Sequence, residues 1–270
     1  NSTFTNTTAG QGGAVYTYGG NVTVSDSSFT NTRGDAGAIF LEGDKNATIS
    51  NSRFTNIQST EEGGAIEVTG SGSVSIFNST FTNTTSWQYG GAISTEISNL
   101  FISNCTFNDT TARNGAGGAI YSWSANITVS NSQFINNMAK DDGGAIKGEN
   151  VTVINSSFID NAALGDGASI YASGLNLKDS TFNSLKADGS AIIHIKSSNN
   201  ATVNLNNNTI ESNLPAIYND GGIIISQTYL TFDNVTLYQG ENATLTATLT
   251  DDKGNIIGSN TNVKGKVNST

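Results

Sequence analysis

The sequence predicts an all-β fold, a right-handed parallel β-helix (solenoid) of about nine rungs, on three observations. A phrase ending in Phe recurs every 24 to 27 residues, a glycine phrase recurs between its copies, and the residues leading into each Phe alternate apolar and polar.

The Phe phrase reads Asn/Asp-Ser-x-Phe. Its copies end at Phe4, Phe29, Phe54, Phe81, Phe107, Phe134, Phe158 and Phe182, with a degenerate ninth from Asn207 to Ile210. A stacked fold places these rings in one buried column at the strand spacing, roughly 4.8 Å. The Asn three positions earlier (Asn51, Asn78, Asn104, Asn131, Asn155) is expected to form an inward amide ladder at a turn.

Seven and five residues before each Phe lie apolar pairs: Val22 and Val24, Ala47 and Ile49, Val74 and Ile76, Leu100 and Ile102, Ile127 and Val129, Val151 and Val153, Leu175 and Leu177. The residues between them are mostly Thr or Ser. A period of two is a strand with one face in the core and one in water. The glycine phrase, Gly-Gly-Ala-Ile or a variant, runs from Gly12–Val15 through Gly63–Ile66, Gly90–Ile93, Gly117–Ile120 and Gly143–Ile146. It decays through Gly189–Ile192 to Pro215-Ala216-Ile217. It starts a second strand from a corner that needs positive φ or leaves no room for a Cβ. With the short strand around Phe, this makes three strands per coil. No segment shows the helical i, i+3, i+4, i+7 pattern of helical repeat folds.

Residues 1–227 form the expected β-helix. From 228 the period breaks, and Tyr229–Leu237, Ala243–Leu249 and Asn255–Ile257 read as strands joined by turns. This stretch, 228–270, is the start of an Ig-like β domain or a C-terminal cap over the last rung. The chain opens inside a repeat, and the expectation is an internal segment of a longer protein with further domains.

Composition excludes several functions. Net charge is −10 and pI about 4.4, with 12 Lys and Arg residues scattered. No basic cluster can neutralise a run of phosphates, so nucleic acid is not an expected partner. No apolar run approaches the length of a membrane span, so direct membrane insertion of this segment is not expected either.

The pairing of the glycine phrase with Phe-x-Asn (Phe4 with Asn6, Phe29 with Asn31, Phe54 with Asn56, Phe81 with Asn83, Phe134 with Asn136) resembles the repeats of adhesin-like surface proteins of methanogenic archaea. It is also similar to the chlamydial polymorphic membrane proteins. Their form is Phe-x-x-Asn, which here fits only Phe134 to Asn137 and Phe158 to Asn161. The resemblance implies a β-helical region outside the cell, at the cell surface, with an adhesive role toward glycans or proteins of another cell. The segment Tyr238–Gly258 resembles the start of a bacterial Ig-like module.

Catalysis requires gathered carboxylates or a calcium–base pair. Asp142, Asp166 and Asp188 precede successive glycine phrases, with Asp35 and Glu62 in the same place earlier. Turns favour Asp on their own account, and no Arg accompanies the column. His194, the only histidine, falls on a strand and is read as structural. Cys105 takes a place otherwise held by Ser79, Ser132 and Ser156, and is read as a small-residue substitution. The reading is therefore a non-enzyme with no cofactor and no metal, the rivals being a polysaccharide-active β-helix enzyme and a purely architectural stalk. Aromatics Tyr16, Tyr18, Trp87, Tyr89, Tyr121 and Trp123 gather around the glycine phrases and are candidate surface-binding residues. Sequons at Asn21, Asn46, Asn126 and Asn150 precede strands at turns and are candidate glycosylation sites.

Overall fold

A computed structural model describes residues 1–43, 46–184, 188–196, 202–220 and 224–230. The strands coil into a parallel β-solenoid of about eight turns, the nine Phe-phrase positions bounding eight intervals. Each strand pairs in parallel with its equivalent one turn on: Phe4 with Phe29, Phe81 with Phe107, Val24 with Ile49, Ile93 with Ile120. Three faces result, named here for their leading residues: glycine, valine and phenylalanine. In two turns the first two faces fuse into one strand, Ile146–Ile154 and Ile170–Lys178. The final described strand, Ile224–Leu230, crosses the expected 227/228 boundary and pairs with Thr202–Ser212. Beyond Leu230 the expected Ig-like or capping segment lies outside the described residues.

The core is the predicted one. Phe29, Phe54, Phe81, Phe107, Phe134 and Phe158 have no exposed surface, and successive rings stack at 4.7 to 4.8 Å, within 5° of parallel. Phe4 and Phe182 extend the column. The glycine corner uses both properties expected of it. Gly90 has φ +62°, and a Cβ on Gly91 would stand 2.0 Å from the carbonyl oxygen of Gly118 one turn on.

One expectation is corrected. The Asn column three before Phe is a ladder, but it faces out. Asn51, Asn78, Asn104, Asn131 and Asn155 are exposed and sit at φ of 47 to 52°. The left-handed conformation, which Asn tolerates better than most residues, swings the side chain off the wall. There, Asn78 Nδ2 donates to Asn51 Oδ1 at 3.2 Å and Asn155 to Asn131 at 2.7 Å. The next residue is the inward one. Ser27, Ser52, Ser132 and Ser156 are buried, and each hydroxyl donates to the carbonyl two residues back. Each also accepts from the equivalent backbone N–H of the preceding turn, as from Cys105 to Ser132 at 3.1 Å. Cys105 occupies this column, buried, its thiol pushed up to about 11 by burial.

The two Asn motifs likewise lie on opposite sides of the wall. Asn6, Asn31, Asn56 and Asn83 of Phe-x-Asn are exposed corners linked by amide bonds of 2.8 to 3.2 Å. Asn137 and Asn161 of Phe-x-x-Asn are fully buried. The Asn137 amide donates to the Phe107 carbonyl and accepts from the Thr110 N–H.

Candidate functional site

The glycine face carries the densest chemistry. After each inward Ile the next side chain points outward, and strand register lines these residues into one column: Tyr16, Phe40, Glu67, Ser94, Tyr121, Lys147, Tyr171, His194, Tyr218. In the degenerate eighth copy Ile193, not Ile192, pairs with Ile170, which brings His194 into the column.

At one end Tyr16 and Phe40 are 5.5 Å apart, and the Tyr16 hydroxyl donates to Glu42 at 2.6 Å. That bond, more than any other influence, raises the phenol's pKa. Next comes a carboxylate cluster of Glu62, Glu67 and Glu96. Ser94 Oγ donates to Glu62 Oε2 at 2.8 Å. Burial first, then the charges of Glu62, Asp35 and Glu96, pushes Glu67 up to about 7. Burial also raises Glu62. Then follow stacked rings, Tyr89 on Tyr121 at 4.4 Å, with Trp123 at 6.2 Å from Tyr121. Burial holds the Tyr121 hydroxyl far above the usual phenol range.

Beyond them Lys147 pairs with Asp142 at 3.1 Å and lies 5.0 Å from the Tyr171 ring centre. Tyr171, its hydroxyl pushed up to about 12 chiefly by burial, stacks on His194 at 4.9 Å, and Tyr218 covers the other side at 5.0 Å. His194 is on a strand, as expected, and almost fully buried. Its Nε2 is 3.1 Å from Asp220 Oδ2. Its Nδ1 is 3.4 Å from Ser190 Oγ and 3.5 Å from Asp166 Oδ1. This Ser190–His194–Asp220 arrangement can pass a proton, although the carboxylate of Asp166 competes with Ser190 for the same nitrogen.

The acidic column is not gathered into a cation site. Asp142 and Asp166 are engaged as above, and Asp142 Oδ1 also accepts from the Asp166 backbone N–H. Asp188 is exposed. Among the described residues no group of three or more His, Cys, Asp or Glu side chains has metal-holding geometry.

The six candidate aromatics divide. Tyr16, Tyr18, Tyr89, Tyr121 and Trp123 belong to the glycine face. Tyr18 and Trp123 are 76% and 63% exposed, whereas Tyr121 is only 4% exposed beneath its neighbours. Trp87 stands apart, just past the strand Thr80–Ser86 on the phenylalanine face. Asn21, Asn46, Asn126 and Asn150 are all exposed. Asn150 donates to Asn126 and Asn126 to Asn99, a third outward ladder.

The repeat also fixes the comparison with known proteins. A family model described as the right-handed β-helix region matches residues 37–194, more than half of the chain. The chain belongs to the right-handed β-helix family. No curated protein and no solved structure matches it. The hand agrees with the rule that parallel crossovers in one sheet are right-handed.

Sequence reasoning missed Glu67, Ser94, Glu96, Lys147, Tyr218 and Asp220. For Glu67, Ser94, Lys147 and Tyr218 the signal was available in the repeat register: the residue after each phrase Ile, read down the copies, spells out the column.

Proposed function

We propose that this right-handed β-helix is a non-catalytic, adhesin-like segment of an extracellular cell-surface protein, a stiff rod whose glycine face binds glycans or proteins of another cell. The observation that carries the reading is the aromatic stripe on that face. Tyr18 and Trp123 are exposed, and they are backed by the Tyr16–Phe40 and Tyr89–Tyr121 pairs. Rings held by paired strands lose little freedom on binding, and their faces suit the apolar side of a sugar ring or a partner side chain. Carboxylates already held by Lys147, Ser94 and backbone N–H groups support the non-catalytic part.

Binding of the purified segment to a glycan panel and to intact cells tests it. A Tyr18→Ala/Trp123→Ala variant should lose binding without a change in melting, because both rings are exposed. Retention of full binding by that variant, or no binding to any surface, would sink the proposal. The Ser190–His194–Asp220 contact favours a second reading, a hydrolytic enzyme acting on a bound polysaccharide.

A further inference from the structure

A hollow of about 420 Å³ opens on the phenylalanine face, away from the stripe just described, and is lined by Arg33, Gln58, Glu61, Trp87, Gln88 and Arg113, among others. The volume lies in the range of small-ligand sites. Its make-up departs from the rest of the chain. The protein has three arginines and a net charge of −10, yet two of those arginines meet here against a single lining carboxylate. That carboxylate, Glu61, already accepts from Gln88 Nε2 at 2.6 Å. Neither guanidinium is ion-paired among the described residues. Trp87 is 53% exposed.

The coil builds the site from two rows. Arg33 registers with Gln58, and Gln58 with Thr85. Thr60, Trp87 and Arg113 stand six residues after Phe54, Phe81 and Phe107. The backbone of Asn114, beside Arg113, donates to the Trp87 carbonyl. Three turns separate the strands of Arg33 and Arg113, roughly 14 Å at the strand spacing. Two long side chains can close over that span onto one short ligand.

We propose that this hollow binds an acidic saccharide, with a pyranose ring on the face of Trp87 and its acid group held by Arg113 and Arg33. A planar guanidinium offers paired donors to a carboxylate or sulfate. The aromatic face takes the apolar side of the ring, and the Gln58 amide and nearby hydroxyls take sugar hydroxyls. An acidic peptide would use the arginines but leaves the tryptophan and the amide rim without a role. The long-range repulsion from the net charge is screened beyond about 8 Å in physiological salt, so the local pair of cations governs.

The test is calorimetric titration of the whole segment with an oligoglucuronate, a sulfated oligoglucoside of equal length, the neutral oligoglucoside, and a polyglutamate peptide of equal charge. At least one acidic sugar should bind, and the uronate and sulfate arms identify the acid group. Trp87→Ala, Arg33→Gln and Arg113→Gln should each weaken it about tenfold or more, equivalent to about 1.4 kcal/mol, with melting unchanged. Tyr18→Ala/Trp123→Ala should leave this binding intact, so failure of the glycine face and failure of this site read out separately. The proposal is overturned if no acidic sugar binds or the peptide binds as well as the sugar. It is also overturned if the neutral sugar binds equally with the arginine variants silent, or if only the Tyr18/Trp123 variant loses binding.

Discussion

Replacing Phe107 by Ala probes the column on which every other position depends. The ring has no exposed surface and lies 4.8 Å from Phe81 on one side and from Phe134 on the other, within 5° of parallel to both. Truncating a buried Phe costs about 3–5 kcal/mol, through lost transfer energy and the cavity left behind. Phe107 belongs at the top of that range. It loses two ring contacts, each contributing about 0.5–1.5 kcal/mol beyond area, and neighbours held by parallel strands on both sides collapse poorly. Phe4 supplies the internal comparison: it is only partly buried and has one ring partner, Phe29 at 4.9 Å. Phe4→Ala should cost about 1–2 kcal/mol on the same reasoning. Phe107→Leu keeps most of the volume and should stay near 1.5 kcal/mol. Urea unfolding followed by circular dichroism gives all three values if the transition slope is unchanged. Equal costs for Phe107→Ala and Phe4→Ala, or a Phe107→Ala cost below about 0.5 kcal/mol, would refute the stacked core.

Four further outcomes follow from the wall and the glycine face. Ser132→Ala leaves the buried Cys105 N–H without its acceptor and should cost about 1–3 kcal/mol. Asn104→Gly should cost less than Asn104→Ala, because Asn104 is exposed but sits at φ +52°; denaturation midpoints rank them. Gly91→Ala drives a methyl group into the Gly118 carbonyl and should prevent folding or cost several kcal/mol, visible as loss of the strand signal. Glu67 carries a pKa raised from 4.5 to about 7. A carboxyl that holds its proton more tightly when folded gives stability that is complete below about pH 4.5 and lost as pH rises to about 7. The swing is about 3 kcal/mol at most. Glu67→Gln should therefore flatten the pH dependence in that window relative to the parent and gain stability at pH 8. An unchanged slope would mean that Glu67 ionises as it does in water.

The coil was legible because its constraints repeat. Phe must recur where the column needs a ring, the valine-face pairs must alternate, and glycine must recur where Gly118 O and its equivalents leave no room. The direction of the Asn51–Asn155 column was not legible. Both an inward ladder and an outward one need regularly spaced amides, and only the left-handed φ decides between them. Ser27, Ser52 and Ser132 held the inward role, but serine is too common in this chain to stand out. The six aromatics read as one group because they cluster in sequence. The corner at Gln88–Gly90 then sends Trp87 to a different face from Tyr89. The His194–Asp220 contact joins residues one turn apart in copies where the phrase has decayed, so its register had no clear signal.

On the function proposed above, the glycine face holds a partner and does not turn it over. Incubating the segment with neutral and acidic polysaccharides, with and without calcium, and assaying bound polymer and released products in the same sample tests it most directly. A binding, non-catalytic face should retain polymer with no new reducing ends and no unsaturated products. Product release that disappears in Ser190→Ala, His194→Ala or Asp166→Ala would contradict it and make the His194 cluster an active site.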